Sequence, residues 1–131
     1  MASAKRTIVV ADDDREMTSI IQKVLLRESY EVLTAENGEE VLAILQSRPV
    51  HVVIADWKMP ACDGIRLIEL LHQKHPNTKV IMITAFGEMS TYLDAMNRGA
   101  FEFLSKPLNI DELKTLVSRA ISSSRQEAVS P

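Results

Sequence analysis

The sequence predicts an α/β protein built on a parallel sheet with helices packed on both faces. Short apolar runs rich in β-branched residues alternate along the chain with longer segments whose apolar residues recur at helical spacing. Strict alternation of this kind favours parallel strands joined by right-handed crossovers. Most of the strand-like runs are nearly continuous in apolar side chains, as expected of strands that are covered on both faces.

Five strands and five helices follow from this pattern. The predicted strands are Thr7–Ala11, Glu31–Ala35, Val50–Ala55, Lys79–Thr84 and Phe101–Ser105. The helices that follow them are marked by apolar positions within 17–24, 41–45, 65–71, 89–96 and 110–121. Asn37 and Asn109 stand where two helices should begin, and Gly99 stands where one should end.

Length, charge and cysteine content set the class of protein. The chain has 131 residues, which suits one domain that buries its core without a disulfide or a structural metal. The single cysteine, Cys62, excludes an internal disulfide and agrees with a reducing cytoplasm. The net charge of -3 gives no basic footprint for nucleic acid, and no apolar run is long enough to span a membrane. We expect a cytoplasmic domain at residues 1–122 and a polar tail, or the start of a linker, at 123–131.

Polar side chains stand at the ends of four predicted strands. Asp12 and Asp13 follow the first strand, and Asp56 follows the third. Thr84 closes the fourth strand, and Lys106 follows the fifth. Because ligands of open α/β sheets bind beyond the carboxyl ends of the strands, we expect these side chains to form one site.

The triplet Asp12-Asp13-Asp14 has two interpretations at this point. Adjacent carboxylates repel each other, and a hard divalent cation such as Mg²⁺ relieves that repulsion. Alternatively, Asp13 with Glu16 fits a helix-capping pattern, which needs only one aspartate.

The other strand ends favour phosphate chemistry. Asp56 would act as a nucleophile, with Lys106 and Thr84 as partners for phosphoryl oxygens.

Four motifs at the strand ends point to a family. They are Val10-Ala11-Asp12-Asp13, Asp56-Trp57-Lys58-Met59-Pro60 with Asp63-Gly64, Thr84-Ala85, and Lys106-Pro107. In their order and spacing they resemble the receiver domain of two-component response regulators, over about residues 5–122. The resemblance implies a flavodoxin-like (βα)5 fold whose parallel sheet has the order 2-1-3-4-5.

The resemblance also implies roles for individual residues. Asp56 is the phosphoacceptor, and Thr84 and Lys106 contact the phosphoryl group. Mg²⁺ is held by Asp12, Asp13 and Asp56 and by the backbone carbonyl of Lys58. The Lys106–Pro107 peptide bond is expected to be cis.

The resemblance also assigns two residues to switching and two to lifetime. Thr84 and Phe103 form the switch, in which the ring of Phe103 changes rotamer on activation. Lys58 and Phe86 stand two positions after Asp56 and Thr84 and are expected to flank the approach of water to the phosphoryl group. They would therefore tune the lifetime of the phosphorylated state.

The implied function is that of a switch in two-component signal transduction, and not of an enzyme in the usual sense. A sensor histidine kinase or a phosphotransfer protein donates a phosphoryl group to Asp56 in a Mg²⁺-dependent reaction. This changes an output surface around the predicted fourth helix and the fifth strand, which acts on an output domain or protein. A phosphorylation-dependent homodimer fits the same resemblance, and a stand-alone receiver and a piece of a longer regulator are both left open.

Three other functions fit the sequence less well. Asp12 and Asp14 have the spacing of the catalytic pair in haloacid-dehalogenase-like phosphatases, but no later acidic metal pair follows. A flavin-binding flavodoxin-like module would need hydroxyls and backbone donors where this chain has acids. A receiver-like module that is never phosphorylated would have no need of the intact acids.

Overall fold

The computed structural model describes residues 6–12, 14–56, 64–84, 96–97 and 99–129. A five-stranded parallel sheet runs through the centre in the order β2-β1-β3-β4-β5. Its strands are β1 Thr7–Ala11, β2 Glu31–Ala35, β3 Val52–Asp56, β4 Lys79–Thr84 and β5 Glu102–Ser105. The predicted fold class and strand order are therefore confirmed.

Four helices lie in the described part of the chain. They are α1 Arg15–Arg27, α2 Gly38–Ser47, α3 Gly64–Lys74 and α4 Ile110–Val129. The helix predicted between β4 and β5 lies outside the described residues except for the helical positions Met96 and Asn97. The backbone of α4 continues past Ser122, where we predicted the domain to end.

Helix ends follow the predicted capping residues. The Asn37 side chain accepts a hydrogen bond from the amide of Glu40 at 2.9 Å, and Asn109 accepts one from the amide of Glu112 at 3.0 Å. Each satisfies an amide that has no partner within the helix. Gly99 has a φ of +114°, a conformation that side-chain-bearing residues rarely adopt.

The core lies on both faces of the sheet because successive strand residues point to opposite sides. One face packs against α2 and α3 and includes Val9, Val53, Val80 and Met82. The other face packs against α1 and α4 and includes Ile8, Ile54, Ile81 and Leu104. Burying an aliphatic side chain fully contributes roughly 1.5–3 kcal/mol, so the two layers hold the strand ends in a fixed arrangement.

Three strand boundaries differ from the prediction. β3 begins at Val52 and not at Val50, and it includes Asp56, which pairs in register with Ile83. β5 begins at Glu102 and not at Phe101.

In the described ranges, no helix has the length and apolar character that crossing a membrane requires.

Candidate functional site

The sheet brings the predicted polar side chains to one edge. Ala11 pairs in register with Ala55, so Asp12 and Asp56 leave neighbouring strands at the same level. Thr84 is the last residue of β4, and Lys106 directly follows β5. The predicted assembly of these side chains at the carboxyl ends of the strands is confirmed for the members that the structure describes.

Asp56 and Lys106 are in direct contact. The Lys106 Nζ donates a hydrogen bond to Asp56 Oδ2 at 3.2 Å. Asp56 is only 8% exposed, so its carboxylate lies in a partly desolvated setting beside a cation. A charge-assisted contact of this kind is stronger than a solvated surface pair.

The backbone of Lys106 is also tied to the fourth strand. Its amide donates a hydrogen bond to the Thr84 carbonyl at 2.7 Å. The peptide bond between Lys106 and Pro107 is cis, as the resemblance implied. The hydrogen bond from the Lys106 amide to the Thr84 carbonyl holds the start of the segment after β5 against the end of β4.

The charges around Lys106 favour a cation at this edge. Burial of the Lys106 ammonium by itself lowers its pKa. The hydrogen bond to Asp56 and the charges of Asp56, Asp12 and Asp14 outweigh burial and raise the pKa above its ordinary value. The site therefore carries a negative potential that reaches the ammonium.

Asp14 caps α1 and also positions Asp12. Its Oδ1 accepts hydrogen bonds from the amides of Glu16 at 3.1 Å and Met17 at 3.3 Å. Its own amide donates to Asp12 Oδ1 at 2.9 Å. The N-cap of α1 is therefore Asp14, one residue after the Asp13 that the capping pattern with Glu16 indicated. Asp12 is 3% exposed, and its role as a metal ligand stays a prediction.

Thr18 is a site residue that the sequence analysis missed. Its buried hydroxyl lies 3.1 Å from the carbonyl of Asp14 and 3.4 Å from that of Asp12. Thr18 stands four residues after Asp14, where a helical hydroxyl reaches the carbonyl of the preceding turn. That spacing was the available signal. The Thr18 hydroxyl thus helps to hold the backbone of Asp12 and Asp14 in place.

The described side chains fit a hard divalent cation in their chemistry. Asp12 and Asp56 offer carboxylate oxygens, which Mg²⁺ prefers as ligands. Among the described residues, no group of three or more His, Cys, Asp or Glu side chains forms a metal cluster. Asp13 lies outside those residues, and so does Lys58 with its carbonyl. The placement of the buried Asp12 and Asp56 carboxylates at the ends of neighbouring strands is the observation that fits cation binding here.

The predicted switch and lifetime residues are only partly described. Phe103 lies on β5, pairs in register with Met82 and is half-buried against the core face that holds α2 and α3. Its amide donates to Glu102 Oε1 at 3.1 Å. Phe86 lies outside the described residues.

Comparison with known proteins decides the family. The model of a family described as the response regulator receiver domain matches residues 8–118. The chain belongs to this family. It is a receiver domain of two-component response regulators, which makes it a signalling switch.

Curated relatives of this receiver are longer proteins. It is 40% identical over 113 residues to the DNA-binding transcriptional regulator NtrC of Salmonella typhimurium, covering 86% of this chain and 24% of that protein. It is 30% identical over 125 residues to the response regulator protein PilR of Pseudomonas aeruginosa, covering 95% of this chain and 28% of that protein. The chain thus spans about a quarter of the length of these relatives.

Solved structures support the same assignment. The signal receiver domain of an HD domain-containing protein from Pseudomonas fluorescens Pf-5 superposes with a TM-score of 0.92 at 26% identity, covering 98% of this chain and 95% of that one. The beryllofluoride-activated NtrC4 receiver domain dimer gives a TM-score of 0.86 at 29% identity, covering 90% and 98%. These comparisons give no support to the phosphatase, the flavin-binding module or the unphosphorylated interaction module.

Proposed function

We propose that this receiver accepts a phosphoryl group on Asp56 from a histidine kinase or a phosphotransfer protein. The observation that carries the proposal is the contact of 3.2 Å between Asp56 Oδ2 and Lys106 Nζ at the carboxyl edge of the sheet. A buried carboxylate beside an ammonium is suited to receive a group that brings further negative charge.

The transfer is a displacement at phosphorus. An oxygen of the Asp56 carboxylate attacks the phosphorus of a phosphohistidine, and the phosphorus–nitrogen bond breaks. The electron pair remains on the imidazole nitrogen, which takes up a proton. The product at Asp56 is an acyl phosphate. Most of the required catalysis is positioning and charge neutralisation, which fixed side chains provide.

Mg²⁺ is the cofactor that we propose for this step. Asp12, Asp13, Asp56 and the Lys58 carbonyl would hold it, as the resemblance implies. When bound, the ion neutralises phosphoryl charge and orients the transferred group. The 2.9 Å hydrogen bond from the Asp14 amide keeps the Asp12 carboxylate turned to a fixed direction for this purpose.

Lys106 and Thr84 are the proposed phosphoryl contacts. The Lys106 ammonium already reaches Asp56, so a phosphoryl group on that carboxylate comes within range of the same donor. The Thr84 hydroxyl belongs to the last residue of the neighbouring strand β4, and that residue is 3% exposed. Its reorientation toward the phosphoryl group would leave space for the Phe103 ring to move inward.

The lifetime of the acyl phosphate is a separate proposal. Hydrolysis needs a water in line with the phosphorus, and Lys58 and Phe86 are proposed to flank its approach. The bulky ring at 86 would hinder water more than a small side chain does.

We propose that the output belongs to protein outside this chain. The relatives NtrC and PilR are named as a DNA-binding transcriptional regulator and a response regulator, which supports control of transcription. The phosphorylated receiver would present a changed surface around Phe103 to an output domain, or to a second copy of itself. We place the protein in the cytoplasm and assign it no direct contact with nucleic acid or membrane.

The proposal is tested by incubating the purified chain with Mg²⁺ and a small-molecule phosphodonor and following its intact mass. One added phosphoryl group per chain, stable in acid and lost in base, is expected. Asp56→Asn should remain unmodified. Asp111→Asn, which removes an exposed carboxylate from α4, is the matched control and should be modified like the parent.

Two results would contradict the proposal. Equal incorporation into the Asp56→Asn variant would place the acceptor elsewhere. Continuous release of inorganic phosphate from diverse phosphate esters, without an adduct, would favour the phosphatase alternative.

A further inference from the structure

A polar cleft opens beside the acid site between α1 and β2. Its volume is about 230 Å³, and its lining includes Asp12, Thr18, Arg15 and Glu36. One water occupies roughly 30 Å³ of liquid volume, so the cleft has room for several waters or a hydrated cation. Because Mg²⁺ sheds its waters reluctantly, it needs such a space next to its ligands.

Two opposite charges flank this cleft. Arg15 Nη2 donates to Glu36 Oε1 at 2.9 Å, and their side chains are 86% and 56% exposed. Arg15 is the first residue of α1, and Glu36 directly follows β2. The ion pair therefore joins the first residue of α1 to the turn between β2 and α2.

The Glu36 backbone is anchored, whereas the ion pair itself is weak. The Glu36 amide donates to Glu40 Oε1 at 2.8 Å, which fixes the turn before α2. An ion pair between exposed side chains is worth little, because water and salt screen it. Arg15 can thus exchange Glu36 for other anionic partners without disturbing the fold.

We infer that Arg15 and Glu36 are a charge pair that sets the affinity of the acid site for a divalent cation. This inference rests on the proposed function, since it concerns the Mg²⁺ of that site. Arg15 opposes the approach of a cation to Asp12, and Glu36 offsets Arg15 by holding its guanidinium. Loss of Arg15 tightens cation binding, and loss of Glu36 weakens it.

The test is a Mg²⁺ titration of the whole chain by calorimetry, without any phosphodonor. At ~0.01 M ionic strength we expect Arg15→Gln to bind Mg²⁺ about threefold more tightly than the parent and Glu36→Gln about threefold more weakly. The double variant should return close to the parent. At ~1 M salt, where charges are screened within about 3 Å, the differences should vanish.

The matched control is Arg27→Gln. Arg27 is an exposed arginine at the other end of the same helix, roughly 18 Å from Arg15 at a rise of 1.5 Å per residue. It removes the same charge at a greater distance and should therefore change Mg²⁺ affinity much less than Arg15→Gln does. Circular dichroism would verify that all variants are folded.

The outcomes separate the inference from the proposed function. If Arg15→Gln and Glu36→Gln match Arg27→Gln while the parent binds Mg²⁺, the inference is overturned and the proposed function stands. If the parent binds no Mg²⁺ at any salt concentration, the proposed function is refuted and the inference with it. Opposite, salt-sensitive shifts for the two variants would support the inference.

Discussion

At the scale of single residues, the Lys106 ammonium contacts the carboxylate that is also a proposed ligand of Mg²⁺. The Lys106 ammonium contacts Asp56 Oδ2 at 3.2 Å, and the surrounding acids raise its pKa against the effect of burial. Lys106 and a divalent cation therefore compete in part for the same negative charge. This competition leads to a prediction about metal affinity.

Replacing Lys106 by methionine should tighten Mg²⁺ binding while impairing retention of a phosphoryl group. The apolar side chain removes a competing charge, and we expect a gain of roughly tenfold in affinity, or about 1.4 kcal/mol. A Mg²⁺ titration by calorimetry measures it. Lys23→Met, at an exposed position of α1, is the control and should bind as the parent does. Weaker Mg²⁺ binding by Lys106→Met would show that Lys106 does not compete.

His51 joins the amino ends of the neighbouring strands β1 and β3, at the opposite end of the strands from the candidate site. The Thr7 amide donates to His51 Nδ1 at 3.0 Å, and the His51 amide donates to the Thr7 carbonyl at 2.9 Å. Burial and the nearby charge of Arg6 lower the pKa of His51 from 6.5. The fold therefore favours the neutral ring.

The free energy of unfolding should decrease as the pH falls below 6.5 because of His51. Above pH 6.5 the ring is neutral in both states, and its contribution is fully present. Below 6.5 the unfolded chain takes up a proton that the folded chain resists, down to the lowered pKa of the folded state. His51→Asn keeps an acceptor for the Thr7 amide and should flatten this part of the urea-unfolding profile. His75→Asn is the control, and an equal flattening there would contradict the assignment to His51.

At the scale of elements, Gly99 and His72 set how closely α3 approaches the chain before β5. A Cβ added at Gly99 would lie 2.7 Å from His72 Nδ1 and 2.8 Å from its Cγ. The positive φ at Gly99 adds backbone strain for any other residue. This contact leaves no space for a side chain at position 99.

Gly99→Ala should lower the free energy of unfolding by roughly 1–3 kcal/mol. Adding His72→Ala should restore part of the loss, because it removes the ring but leaves the strained backbone. Urea unfolding of the single and double variants gives both values. If Gly99→Ala alone is as stable as the parent, the close packing of His72 on Gly99 is wrong.

Elements were predictable where pattern alone defines them. The β-branched runs located β1, β2 and β4 at their observed bounds. β1 and β4 are buried along almost their whole length, and such strands are apolar on both faces. The start of β3 was not predictable from Val50, because pairing of Val52 with Ile8 decides where the ladder begins. A run of apolar residues does not show the register in which it will pair with the neighbouring strand.

Site residues, too, were predictable where the sequence pattern alone locates them, and not where contacts between distant segments decide. Asp12, Asp56, Thr84 and Lys106 were found from their positions after strands, because a parallel sheet gathers such ends. The Arg15–Glu36 pair was missed, since the start of α1 and the turn after β2 must meet in the folded chain before it forms.

At the scale of the whole molecule, the proposed switch connects the site with the surface around β5. The Lys106 amide bonds to the Thr84 carbonyl, and Phe103 lies between them in sequence and packs on the core. A change at Thr84 can thus reach β5 through directly bonded neighbours.

Adding Mg²⁺ and beryllofluoride should change amide hydrogen exchange across residues 84–106 and leave α2 unchanged. The phosphoryl mimic would attract the Thr84 hydroxyl and so leave space into which the Phe103 ring can move. This would change the protection of amides against exchange in β5 and in the segment before it. Exchange followed by mass spectrometry measures the effect, with Asp56→Asn as the control that should not respond. Equal protection across 84–106 with and without the mimic would rule out this switch.

The most direct test of the account is to locate the phosphoryl group after incubation with Mg²⁺ and a small phosphodonor. Borohydride reduces an acyl phosphate and marks the carboxyl group that carried it, so peptide mapping identifies the acceptor. We expect the mark on Asp56, dependent on Mg²⁺ and absent when a chelator is added. A mark on Asp12 or Asp14, or the same labelling of Asp56 without any divalent cation, would contradict the account.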